Sequence, residues 1–194
     1  MKIYLITASP RLTKSQQKAI ESIGEFKIID AQKLSTQEVL DKASDAEVLI
    51  AGSSGIEKIS RELLAGLKKL KFVALLTVGT AWVDLESANK LKIPVSNIKG
   101  ANSESVAEHV WAMILDLAKR VTEFDRDVRN KGAYKFSDYQ GKEVEGKTIG
   151  IIGLGDIGKK VARIAKALNR CAAGTYQRGS PVQGVRLVNF EELL

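Results

Sequence analysis

The sequence predicts an α/β protein whose parallel sheets are flanked by helices. Three observations predict it. Short runs such as "KIYLITA", "EVLIAG" and "FVALLTVG" are apolar throughout rather than alternating, as strands covered on both faces are. Segments with apolar residues at helical spacing separate them. Three glycines, Gly153, Gly155 and Gly158, mark the passage from an apolar run to a helical one in "TIGIIGLGDIGKKVARIAKALN".

The elements follow in chain order. Strands are expected at Lys2–Ala8, Phe26–Ala31, Glu47–Gly52, Phe72–Gly79 and Ile93–Asn97. After the third, Ile56, Ile59, Leu63, Leu64 and Leu67 recur at helical spacing. Alternating strand and helix imply right-handed crossovers and an open, twisted layer. A long helix comes next. Ser105 and Glu108 fit a capping box at its start, and Val106, Val110, Met113, Ile114, Leu117 and Val121 form the stripe expected to face the core. The polar stretch Thr122–Lys147 reads as a connecting arm with a helical first half. Beyond it, "TIGIIG" is a buried strand and "DIGKKVARIAKAL" a helix with Ile157, Val161, Ile164 and Leu168 on one face. "CAAGTY" and "VRLV" are further strands, and "NFEELL" opens a helix with Asn189 as its cap.

Composition narrows the function. The 194 residues allow one domain or two small ones. At 44% hydrophobic and 27% charged, the balance is that of a soluble globular protein. One cysteine excludes an internal disulfide framework and fits a reducing compartment. The N-terminal apolar run is too short for a signal peptide or a membrane span, so a cytoplasmic protein is expected. The net charge is +7, but Lys and Arg are scattered, with the tightest cluster at Leu67–Lys71. There is no basic run with interleaved aromatics and no zinc spacing. Neither nucleic acid, membrane nor metal is expected as a partner. A solvated basic surface explains the charge, and attraction of small anions is the second reading.

The glycines carry the chemistry. Gly153, Gly155 and Gly158 fit G-x-G-x-x-G between a strand and a helix, the setting in which the pattern is informative. Gly153 permits the tight turn, Gly155 lets a pyrophosphate approach the backbone, and Gly158 lets helix and strand pack closely. Free amides and the helix dipole then stabilise the anion, with the Asp156 and Ile157 amides among the donors. The Asp156 side chain is expected to point to solvent. A site for NAD commonly places a carboxylate at the end of the next strand. No carboxylate lies between Cys171 and Ser180. Tyr176, Gln177, Arg178 and Ser180 stand there instead. Arg178 pairs with a 2′-phosphate and Ser180 donates to it on this reading, so NADP is preferred and NAD is the alternative. The competing reading makes Arg178 a solvated loop residue.

Three stretches resemble the D-isomer-specific 2-hydroxyacid dehydrogenases. They are "LLTVGTAWVDLESANKLKIPVSN" (Leu75–Asn97), "SESVAEHVWAMILDLAKR" (Ser103–Arg120) and "GKTIGIIGLGDIGKKVARIAKAL" (Gly146–Leu168). The resemblance implies a flavodoxin-like substrate lobe over residues 1–97 and the first half of a Rossmann nucleotide-binding lobe over 98–194, with the active site in the cleft between lobes. It implies that amides of the loop containing Gly79 and Thr80 bind the substrate carboxylate, that Ser53 and Ser54 line the same cleft, and that Val106 is a further cofactor contact. Ala81 departs from the polar or acidic residue more usual there, and Tyr176 falls where many relatives have the ribose-binding Asp. The substrate would be a small 2-keto or 2-hydroxy acid of the glyoxylate, hydroxypyruvate or 3-phosphoglycerate class, and two copies would pair through the nucleotide lobe and linking helix.

Reduction of a 2-keto acid also needs a cation and a proton donor beside the cofactor. The family supplies them as an Arg, a Glu and a His in the second half of the nucleotide lobe. The chain has one histidine, His109, which lies on the linking helix and reads as structural. No complete catalytic set is expected within these residues, and the chain reads as a truncated enzyme, inactive alone. The alternative is a non-catalytic dinucleotide-binding or dimerisation module.

Overall fold

The computed structural model describes residues 1–10, 12–132, 136–168, 171–175 and 183–193. They form two compact units, Met1–Lys99 and Gly100–Leu194.

The first unit runs β1 (Lys2–Thr7), α1 (Lys14–Glu21), β2 (Glu25–Asp30), α2 (Thr36–Ala43), β3 (Val48–Ala51), α3 (Arg61–Gly66), β4 (Phe72–Leu75), α4 (Leu85–Lys90) and β5 (Val95–Ser96). Its five strands are parallel in the order β2-β1-β3-β4-β5. Local chemistry starts each helix. Thr13 and Ser35 each close a capping box, with Gln16 and Glu38 reaching back. Ser60 accepts from the Leu63 N–H, and Asp84 from the Ser87 N–H. These bonds satisfy donors that the first helical turn leaves unpaired.

β1 is buried on both faces from Ile3 to Thr7, as expected, but β3 and β4 are apolar on both sides and covered unequally, which corrects the expectation for them. Leu49, Ala51, Val73 and Leu75 pack with Val39, Leu63, Leu64 and Leu67 in the core. Their neighbours Val48, Ile50, Phe72 and Ala74 are half-buried and line an apolar groove of about 400 Å³ with Ile20 and Ile23. Handedness explains it. The chain steps one way from β1 to β2 and the other way from β2 to β5, so right-handed crossovers put α1 on one face and α2, α3 and α4 on the other.

Two further expectations change. The helix after β3 begins only at Arg61, because Ser60 is extended (φ −84°, ψ 171°) and caps it. Ile56 and Ile59 precede it, bridge to Leu34 and Val83 respectively, and are buried all the same. The fourth strand ends at Leu75, not Gly79, because Thr77 to Trp82 close into a loop.

The second unit contains α5 (Ser103–Lys119), α6 (Val121–Lys131), a 3₁₀ turn (Phe136–Tyr139), β6 (Thr148–Ile152), α7 (Asp156–Ala167), β7 (Cys171–Thr175), β8 (Val185–Leu187) and α8 (Phe190–Leu193). Three parallel strands lie in the order β6-β7-β8. Asn189 caps α8, accepting from the Glu192 N–H at 2.7 Å. Ala107 and Trp111 of α5 pack on Val161, Ala162 and Ala165 of α7. Small residues let the two helices approach, and the Trp111 Nε1–H donates to the Val161 carbonyl at 3.0 Å.

That packing shifts both predicted stripes. In α5 the core side is Ala107 and Trp111, with the predicted Val110 and Ile114 half-buried against it, while Met113 and Leu117 are exposed, as is Val121 of α6. In α7 it is Gly158, Val161, Ala162 and Ala165, while Ile157 and Leu168 are exposed. The predicted capping box of α5 is absent, since the helix starts three residues earlier, after Asn102. Ser103 donates from both its backbone N–H and its Oγ to the Gly100 carbonyl.

Candidate functional site

The first unit builds a loop after β4 whose carbonyls from Thr77 to Thr80 are engaged. The Thr77 carbonyl accepts from the Ile98 N–H at 3.4 Å and the Val78 carbonyl from Asn97 Nδ2 at 2.7 Å. The Gly79 carbonyl accepts from Thr77 Oγ1 at 2.8 Å and from Trp82 Nε1 at 3.2 Å. The Thr80 carbonyl accepts from the Val83 N–H at 2.9 Å. Among the described residues, none accepts from the N–H groups of Val78, Gly79, Thr80 or Ala81. A peptide loop with its acceptors engaged and its donors free carries positive partial charge and suits an anion.

Ser53, Thr77, Gly79, Ala81 and Trp82 line a cavity of about 480 Å³, none of them charged. It lies beyond the carboxyl ends of β3 and β4, the end of an open parallel sheet at which ligands bind. The structure therefore brings Ser53 and Gly79 to one cavity. Ser54 is employed differently. Its Oγ lies 3.1 Å from Thr7 Oγ1 and accepts from the Ala8 N–H, which ties the β3 loop to the end of β1. Gly52 and Gly55 permit this, since an added Cβ would stand 2.2 Å from Thr7 Oγ1 and 2.4 Å from Thr7 Cα respectively.

The second unit holds the glycine turn between β6 and α7. Gly153 has φ +93°, a conformation that side chains oppose. Gly155 is extended, and a Cβ added there meets nothing within 4 Å. A Cβ on Gly158 would stand 2.2 Å from the Gly153 carbonyl oxygen. Leu154 is buried beneath the turn against Gly174. No side chain caps α7, and among the described residues nothing accepts from the Asp156 and Ile157 N–H groups. An uncapped twelve-residue helix behind an open glycine has free donors that can accept an anion. Asp156 and Ile157 are exposed, and Val106 is half-buried on α5.

Tyr176, Gln177, Arg178 and Ser180 lie outside the described residues. His109 is exposed on α5. Among the described residues no cluster of His, Cys, Asp and Glu could hold a metal ion, and no helix is long and apolar enough to cross a membrane. Sequence reasoning did not single out Trp82, Thr77 or Asn97 as site residues. The available signal was Trp82 itself, an indole N–H in a glycine-containing loop that needs an acceptor when partly buried.

Comparison with known proteins gives concordant matches. The family model for the catalytic domain of D-isomer specific 2-hydroxyacid dehydrogenases matches residues 5–179. The chain is 35% identical over 150 residues to D-3-phosphoglycerate dehydrogenase of Methanocaldococcus jannaschii, covering 77% of this chain and 28% of that protein. An acyclic imino acid reductase in complex with NADPH and D-Arg superposes with a TM-score of 0.87 at 27% identity, over all of this chain and 62% of its own. An NAD-dependent formate dehydrogenase from Staphylococcus aureus, in complex with NAD, does so with a TM-score of 0.77 at 27% identity, again over 62% of its length. The chain thus spans less than two thirds of each of these proteins.

Proposed function

The chain belongs to the D-isomer specific 2-hydroxyacid dehydrogenases, and on that premise we propose that it supplies the carboxylate-binding loop and the pyrophosphate-binding turn of an NAD(P)-dependent enzyme. The reaction passes hydride between nicotinamide and a small 2-oxo or 2-hydroxy acid of the glyoxylate or hydroxypyruvate class. NADPH is the preferred cofactor, because Arg178 and Ser180 replace the usual carboxylate after β7.

The observation that carries this reading is the glycine turn. Positive φ at Gly153, open space at Gly155 and backbone contact at Gly158 suit a dinucleotide, and the helix start beside them has donors to spare. When bound, the nicotinamide nucleotide supplies the hydride. The chain's residues bind and orient. Gly155 leaves the backbone open to the pyrophosphate, and the amides of Asp156 and Ile157 donate to it. The N–H groups of Val78 to Ala81 hold the substrate carboxylate, with Ser53 on the same cavity, which fixes the adjoining carbonyl carbon. Two copies pair through the second unit, a reading supported by the exposed Met113, Leu117 and Val121.

Proton donation is a separate matter. The only histidine is His109, so the 194-residue chain is expected to bind without turning over. This observation also favours a second reading, a non-catalytic dinucleotide-binding module. Titration with NADPH and NADH tests the first proposal. Tighter NADPH binding, lost in Arg178→Ala, is expected. Equal or tighter NADH binding that ignores the substitution overturns the cofactor preference. Measurable keto-acid-dependent oxidation of NADPH by this chain would exclude the binding-module reading and the expected inactivity together.

A further inference from the structure

We infer that Trp82 is the positioning residue of the carboxylate loop, its indole N–H deciding which side of the Gly79–Thr80 peptide the bound anion meets. The inference rests on the reading of this loop as the carboxylate site.

The argument begins with the peptide plane. In a trans peptide the N–H points opposite to the preceding C=O. Whatever holds the Gly79 carbonyl therefore also orients the Thr80 N–H. Gly79 itself does not fix that plane, since it lacks a Cβ and nothing stands within 4 Å of where one would be. A flip of this peptide rotates ψ of Gly79, which no side chain opposes, together with φ of Thr80. A flipped peptide would turn its carbonyl oxygen, not its N–H, towards a carboxylate.

Two donors oppose the flip. Thr77 Oγ1 donates to the Gly79 carbonyl at 2.8 Å, and Trp82 Nε1 donates at 3.2 Å both to that carbonyl and to Thr77 Oγ1. The single indole N–H is shared between two acceptors, and the chain from Trp82 through Thr77 Oγ1 to the Gly79 carbonyl polarises along its length. Thr77 opens the loop, whereas Trp82 closes it and is anchored to the core. The Trp82 ring packs against the core of the first unit, its carbonyl accepts from the Ile59 N–H at 2.9 Å, and the next residue, Val83, is buried. Trp82 thus ties the Gly79–Thr80 peptide to the core of the first unit.

Titration of the intact chain with sodium oxalate, followed by calorimetry and by the amide resonances of Val78 to Ala81, tests this. The wild-type chain is expected to bind, with those four amides shifting to saturation. Trp82→Phe keeps the ring and loses the N–H, and its Kd is expected to rise about fivefold to tenfold, the range of one to one and a half hydrogen bonds. The urea midpoint and the Val73 and Ala74 amides should stay at wild-type values, which a loss of packing would not permit. Should Trp82→Phe fail to fold, the wild-type indole N–H answers the same question, since it is expected to be protected from hydrogen exchange and to shift with the four amides on titration. Wild-type affinity in Trp82→Phe, or an indole N–H that exchanges freely and does not shift, overturns the role of Trp82 and leaves the loop reading standing. No binding by the wild-type chain overturns the loop reading, and the inference with it.

Discussion

Two glycines three residues apart make opposite predictions. At Gly158 an added methyl group meets the Gly153 carbonyl at 2.2 Å, and backbone cannot step aside cheaply. Gly158→Ala is expected to destabilise the second unit by about 1–3 kcal/mol, measured as faster hydrogen exchange along α7. At Gly155 the same methyl group meets open space. Gly155→Ala should therefore leave exchange in α7 unchanged to within about 0.5 kcal/mol yet weaken NADPH binding at least tenfold by calorimetry. Unchanged affinity in Gly155→Ala would remove the pyrophosphate from this site. The tight approach at Gly158 and the open backbone at Gly155 were legible in the sequence, because the spacing assigns them once a strand precedes and a helix follows. The Trp82 bonds were not legible, because the acceptors on Thr77 and Gly79 exist only after the loop has closed.

At the scale of elements, the sequence specified the order of strands and helices but not which faces they cover. Apolar residues fill both sides of β3 and β4, and only the crossover direction decides that Leu49 is sealed while Ile50 is half-buried. Leu49→Ala is expected to cost about 2–5 kcal/mol, and Ile50→Ala clearly less, as shifts in the urea midpoint of the first unit. A similar limit applied to α5, where helical spacing offers two adjacent stripes and the small residues of α7 select Ala107 and Trp111. The entry to β1 adds a pH dependence. Hydrogen bonds from Lys2 and then Tyr4 hold the Asp45 carboxyl down at about 2. Bonds from Lys71 and from the Lys2 backbone N–H hold Glu47 at about 2 as well. Both groups take up protons at lower pH in the folded chain than in the unfolded one, so the stability they contribute is present above about 4.5 and is lost as the pH falls towards 2. Solvent and salt screen these half-exposed pairs. The urea midpoint should fall across that window, and Asp45→Asn should flatten the decline. An unchanged profile in the variant would assign the acid sensitivity elsewhere.

For the whole molecule, family membership was readable from three ordered stretches, and the match over residues 5–179 bears it out. The NADPH preference is a different matter, since the residues that argue for it, Tyr176 to Ser180, lie outside the described structure. The account depends on the turn between β6 and α7 holding a dinucleotide. Its most direct test is an NADPH titration of the 194-residue chain followed by the amide resonances of Gly153, Gly155, Asp156, Ile157 and Gly158. The account predicts that these five shift together and saturate. Resonances that stay in place at millimolar NADPH and NADH would contradict it.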